Sequence, residues 1–200
     1  MNLYNAMKDC LSTVYKQVEN AGDFAVQRDG DILNIFFEWS DGAEDWKNNF
    51  TFPAKPYRRM ENLWFCHRGF LKVWKSIEPY LVKDICNLEV SKINIVGYSH
   101  GAAMALLCYE YCVFNRPDCE VKGVGFGCPR VFWGIVPKSV KRRFNNFKVV
   151  RNGRDIVTHV PPALFGFRHI SEVVEIGKDD SKGQIDDHRP ENYLEHLKNI

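Results

Sequence analysis

Lys92-Ile93-Asn94-Ile95-Val96-Gly97-Tyr98-Ser99-His100-Gly101-Ala102-Ala103-Met104-Ala105-Leu106-Leu107 decides how this chain is read. The apolar run Ile93–Val96 reads as a buried strand, and Ala102–Phe114, apolar nearly all round, as a buried helix. Between them stands Gly97-Tyr98-Ser99-His100-Gly101, which fits G-x-S-x-G. A turn this tight leaves no room for side chains two residues either side of the serine, which explains the glycines. It lifts the hydroxyl clear of the sheet edge and sets it at a helix N-terminus, where partial positive charge favours developing negative charge. Ser99 is therefore the candidate nucleophile.

Working outward, Leu3, Met7, Leu11, Val14, Tyr15 and Val18 recur at helical spacing and predict a helix over residues 3–19. Asp23–Gln27 and Ile32–Phe37 flank Asp29-Gly30 and predict a hairpin. Ser40 to Trp64 reads as irregular, rich in Pro and aromatics. Phe70 to Cys86 predicts a second helix, with Pro79 as a point of kinking. Beyond the elbow, Val121–Phe126, Phe147–Arg151 and Ile170–Ile176 read as strands. Val140–Phe144 reads as a short helix, and Glu191–Ile200 as a final helix with Pro190 at its start. Strands alternating with helices imply an α/β fold with a mostly parallel central sheet, helices on both faces and the antiparallel hairpin at one side. With 200 residues and no linker, residues 1–200 read as a single domain.

A serine hydroxyl needs a base, and the base needs an orienting carboxylate. In this strand order the chain sequence is Ser, then Asp or Glu, then His. His100 adjoins the nucleophile and is badly placed to be its base. His188 follows the last strand and precedes the last helix, the position the base requires; His196 lies within that helix and is expected to face solvent. His159 and His169 are the remaining histidines after Ser99. Asp155 directly follows the strand Phe147–Arg151. Asp179, Asp180, Asp186 and Asp187 read more simply as a solvated turn.

These segments together resemble the class 3, fungal-lipase-like branch of the α/β hydrolases, from roughly Ile32 to Leu194. Phe36-Phe37-Glu38-Trp39-Ser40 with Asp45-Trp46 is similar to that family's F-R-G-T and D-W segments. His67-Arg68-Gly69-Phe70 resembles its H-x-G-F, Gly97–Ala103 its elbow, and Gly127-Cys128-Pro129-Arg130-Val131 its G-x-P-R-V. Val149–Val157, ending in Pro161-Pro162, resembles the segment carrying its triad Asp. Asp187-His188 with Tyr193 resembles the segment carrying its triad His. The resemblance implies a Ser99-Asp155-His188 triad that cleaves carboxylic esters through an acyl-enzyme. It implies an oxyanion hole from Ser40 and the His100 N–H, with no cofactor and no metal. Glu38-Trp39 stands where the family carries Arg-Gly. The implied partner is an ester or lipid substrate met with at most transient contact with a lipid surface. Trp46–Trp64, where such lipases carry a lid, is expected to cover the site without strong interfacial activation. The contrasting expectation is a catalytically silent binding module on the same fold.

Composition narrows the classes further. Net charge is +2 and charged residues of both signs are interspersed, so nucleic acid is not expected as a partner. Lys138, Lys141, Arg142 and Arg143, with Arg151 and Arg154 nearby, read as a solvated basic face. No run of about 18 apolar residues predicts a membrane span. Met1–Asn20 lacks the apolar centre of a signal peptide. With seven cysteines, an odd number, and no C-x-x-C pair, it predicts a cytoplasmic location with reduced thiols. Cys108 and Cys112 share a helix face and read as small apolar core residues. Oligomeric state is not specified by the sequence.

Overall fold

The computed structural model describes residues 1–17, 23–37, 54–58, 63–178 and 180–198. Two sheets form. Six strands make the larger: β1 (Phe24–Asp29), β2 (Ile32–Phe37), β5 (Lys92–Tyr98), β6 (Glu120–Phe126), β8 (Phe147–Asn152) and β10 (Glu172–Ile176). They lie in the order β1-β2-β5-β6-β8-β10. β1 and β2 pair antiparallel across Gly30, whose φ of 58° suits the tight turn. Every other pairing in this sheet is parallel.

Strand alternation divides the core into two layers. Leu33, Ile35 and Phe37 of β2, with Ile93 and Ile95 of β5, face helices α2 (Arg68–Ile85) and α3 (His100–Asn115). Phe36, Val96, Tyr98 and Phe126 face the other way, toward α1 (Leu3–Ser12) and α5 (Pro190–Leu197). α3 is buried along most of its length, including Cys108 and Cys112, as its predominantly apolar sequence requires, and Glu110 is buried with it. On the short helix α4 (Lys138–Arg142), Val140 is buried while Lys138, Lys141 and Arg142 are exposed. All seven cysteines are free thiols.

Three expectations need correction. The N-terminal helix stops at Ser12, not at residue 19. Thr13 is extended (φ −70°, ψ 144°), its hydroxyl donates to the Asp9 carbonyl at 2.7 Å, and the Tyr15 hydroxyl donates to the Cys10 carbonyl at 2.5 Å. Side chains thus satisfy the last carbonyls, and Lys16 turns away to bridge Phe24. Val14, an apparent member of the apolar stripe, is 91% exposed. Second, the stretch read as irregular, Ser40 to Trp64, contains β3 (Ala54–Arg58) and the start of β4 (Leu63–His67). With β7 (Phe132–Trp133) and β9 (Phe167–Arg168) they form a second, antiparallel sheet in the order β3-β4-β7-β9. Pro56 is tolerated because β3 is an edge strand. The rest of Trp46–Trp64, and Ser40, lie outside the described residues. Third, His196 is buried, for a reason that belongs to the site.

Candidate active site

The parallel strands deliver their ends, and the loops after them, to one edge of the sheet. Ser99 sits between β5 and α3 with φ 55° and ψ −120°, the one non-glycine residue of positive φ among the described residues. Such strain is held by its surroundings. The Ser99 N–H donates to the Phe126 carbonyl at 2.8 Å, tying the turn to β6. At Gly97 an added Cβ would come within 2.3 Å of the Gly101 carbonyl oxygen, so the turn closes only on glycine.

Asp155 follows β8, as expected from the sequence. It caps the short 3-10 turn Ile156–His159, its Oδ1 accepting the Val157 N–H at 2.8 Å. His188 ends another 3-10 turn, Asp186–His188, just before α5. The structure brings all three together. Ser99 Oγ lies 2.9 Å from His188 Nε2, and His188 Nδ1 lies 2.9 Å from Asp155 Oδ2. The tautomer that satisfies both contacts carries its proton on Nδ1, leaving Nε2 to accept from the serine. Asp155 has no solvent-exposed surface, while the His188 side chain is 12% exposed, open enough to be reached from the edge.

Two tyrosines complete the arrangement, and the sequence reading assigned a role to neither. The Tyr193 hydroxyl, carried on α5, donates to Asp155 Oδ2 at 2.5 Å. Burial, together with the Asp155 charge, pushes the Tyr193 pKa well up, so it stays protonated and remains a donor. Tyr98 stacks on the His188 ring at 5.2 Å and 19° and donates its hydroxyl to the His188 carbonyl. Burial and the nearby Asp155 charge push its pKa up as well. Tyr98 occupies the variable position of the elbow motif, and Tyr193 was visible only as a landmark near the terminal histidine.

His100 opens α3, which places its N–H in the first turn of that helix. Its ring packs on Phe70 at 5.6 Å, and burial, then the nearby His67, push its pKa down to about 4. Ser40 lies outside the described residues. His159 and His169 sit around the loop after Asp155; His169 Nε2 reaches the Thr158 carbonyl at 2.8 Å. That loop is held by Arg130, whose guanidinium donates to the carbonyls of His159 and Pro161. His196 does not face solvent: its Nδ1 lies 2.6 Å from Asn152 Oδ1 in the interior. A turn read as solvated also proves partly buried, for Asp187 has no exposed surface. Arg151 bonds Thr158 and pairs with Glu175, so it belongs to the sheet surface rather than to a basic patch.

Comparison with known proteins follows the same line. The family model for Lipase (class 3) matches residues 35–165. The chain belongs to the class 3 lipases. Among the relatives of this class 3 lipase is a lipase of Rhizomucor miehei, 30% identical over 148 residues, covering 70% of this chain and 40% of the relative. Another is the secreted mono- and diacylglycerol lipase MDL2 of Malassezia globosa, 32% identical over 110 residues, covering 54% and 36%. The chain therefore spans well under half the length of these relatives. The Rhizomucor miehei lipase in its propeptide complex has a similar structure, with a TM-score of 0.73 at 24% identity, covering 84% of this chain and 57% of that one. Lipase II from Rhizopus niveus gives 0.69 at 22% identity, covering 82% and 64%. These likenesses establish the α/β-hydrolase fold. They also correct one expectation: several relatives, from Malassezia globosa and Fusarium solani, are named as secreted, which overturns the cytoplasmic location expected from the N-terminal composition. The first residues of a chain that spans part of its relatives carry little weight against that.

Proposed function

We propose that this class 3 lipase hydrolyses carboxylic esters by acyl transfer through Ser99, with His188 as base and Asp155 as its orienting carboxylate. The observation that carries the proposal is the unbroken relay at 2.9 Å and 2.9 Å from Ser99 Oγ through His188 to Asp155, standing on a strained strand-to-helix turn. As Ser99 Oγ attacks the ester carbonyl carbon, His188 Nε2 takes its proton. Asp155 holds the imidazole in the productive tautomer and stabilises the imidazolium. The oxyanion is met by the His100 N–H at the positive end of α3, with Ser40 as second donor. His188 returns the proton to the leaving alkoxide. A water, deprotonated by the same imidazole, then attacks the acyl-enzyme and releases the acid.

The relatives named as mono- and diacylglycerol lipases support acyl esters of lipids as the substrate class, and their secretion supports action outside the cell. We take Trp46–Trp64 as a short cover of the site, with too few residues for a large swinging lid. We infer that short- and medium-chain esters are taken as monomers. The test is hydrolysis of esters of graded chain length below and above their solubility limits, beside Ser99→Ala. Turnover of soluble esters that Ser99→Ala abolishes is expected. Turnover that survives Ser99→Ala contradicts the mechanism, and activity confined to aggregated substrate contradicts the short cover.

A further inference from the structure

Asp187 precedes the proposed base and takes no part in the relay, yet it is among the few carboxylates wholly removed from solvent. Its oxygens are engaged by three donors. Oδ2 accepts from the Arg154 N–H at 2.7 Å and from Ser181 Oγ at 2.5 Å, and Oδ1 accepts from the Lys182 N–H at 2.8 Å. Its main chain is held too: the Asp187 N–H donates to the Gly183 carbonyl at 2.8 Å, and its carbonyl accepts from Asn152 Nδ2 at 2.9 Å. Asn152, the last residue of β8, is itself fixed by His196. The carboxylate lies so close to the β8 turn that a Cβ on Gly153 would meet Asp187 Oδ2 at 2.4 Å. Burial on its own would push the Asp187 pKa up; the hydrogen bonds from Ser181, Arg154 and Lys182 outweigh it, and the net displacement is downward.

The covalent arrangement gives these contacts a direction. Asp187 is one peptide before His188, and Arg154 is one peptide before Asp155. The Asp187–Arg154 hydrogen bond therefore joins the two loops one residue upstream of the point where His188 meets Asp155. We propose that Asp187 is a positioning residue that sets the His188–Asp155 distance by bracing the loop over 180–188 against the turn after β8. The proposal rests on the roles assigned above to His188 and Asp155. Both loops are short 3-10 turns; the Ile156 N–H also joins them by donating to the Gln184 carbonyl at 3.1 Å, and the Asp187–Arg154 bond is the one adjacent to the His188–Asp155 pair. A displacement of about 1 Å between such groups costs on the order of 10²-fold in rate.

Asp187→Asn tests it. The amide keeps the size but presents an NH₂ where a backbone N–H now finds an acceptor, so at least one brace is lost. Per mole of titrated Ser99, kcat is expected to fall by about 10²-fold with KM unchanged. The far-downfield proton resonance of His188 Nδ1–H, the signature of its bond to Asp155, is expected to broaden or vanish. Ser181→Ala, which removes one of three bonds from a partly exposed position, is expected to move both readings the same way by less, and it carries the test if Asp187→Asn does not fold. If folded variants lose only melting temperature while the resonance and kcat per titrated serine stay at wild-type values, the proposal is overturned. The resonance is read without substrate. A wild-type protein without esterase activity would therefore count against the proposed function alone, leaving the positioning role to be decided by that reading.

Discussion

His67, His100 and His169 lie with their rings largely out of water, and burial pushes each pKa down to about 4 from the ordinary 6.5. At His169 the nearby Arg130 and Arg151 charges add to this, against the opposing hydrogen bond with Thr158. The consequence for stability follows from proton linkage. Between pH 6.5 and 4 the unfolded chain binds protons at these positions while the folded chain does not, so acid favours unfolding. Their contribution is complete above about pH 6.5 and is lost progressively as pH falls through that window. Melting temperature measured from pH 8 to pH 4 is expected to be level above 6.5 and to fall below it, with a shallower fall in His169→Gln. A level profile down to pH 4 contradicts the burial of these rings. At this scale, Ser99, Asp155 and His188 were legible because each follows a strand at a place the chain order dictates. Tyr98, Tyr193 and Asp187 were not. Tyr98 and His188 are about 90 positions apart, and what Asp187 does depends on which backbone N–H groups the fold brings to it.

Arg116 closes α3 with a side chain only 4% exposed and ion-paired to Asp118 at 2.7 Å. Its guanidinium donates to the carbonyls of Ile85, Asn87 and Val90, at the end of α2 and in the turn that follows. One side chain thus pins the connection between α2 and β5, the strand that carries the elbow. Arg116→Met, which keeps the apolar stem and removes the donors, is expected to cost about 3 kcal/mol in urea unfolding, since three carbonyls lose a charged donor at once. A loss under about 0.5 kcal/mol contradicts the account of this junction. Elements with strong periodicity or clear punctuation were readable: α2, α3, the hairpin at Gly30 and the parallel strands all appear close to their expected bounds. The strands β3, β4, β7 and β9 were not, because two of them are two residues long and gain their identity from pairing across distant segments. The end of α1 was missed because Thr13 and Tyr15 satisfy its carbonyls with side chains, a device invisible to apolar spacing.

Among the described residues, two apolar layers clamp one mostly parallel sheet, and the residues of the proposed site are carried on loops at one edge of it. That division explains why the fold was readable from hydrophobic pattern while the site was readable only in outline: the layers follow local periodicity, and the site follows the meeting of loops after β5, β8 and β10. The sheet holds Ser99 and Asp155 at fixed separation through the β5–β6 and β6–β8 pairings, and His188 is brought to them by the last loop. On the proposed function this geometry makes Ser99, alone among the serines, a nucleophile. The most direct measurement is reaction of the folded protein with a fluorophosphonate, followed by peptide mass spectrometry. A single adduct on Ser99, abolished by His188→Ala, is the result expected. An adduct on another serine, or none in protein shown to be folded, contradicts it.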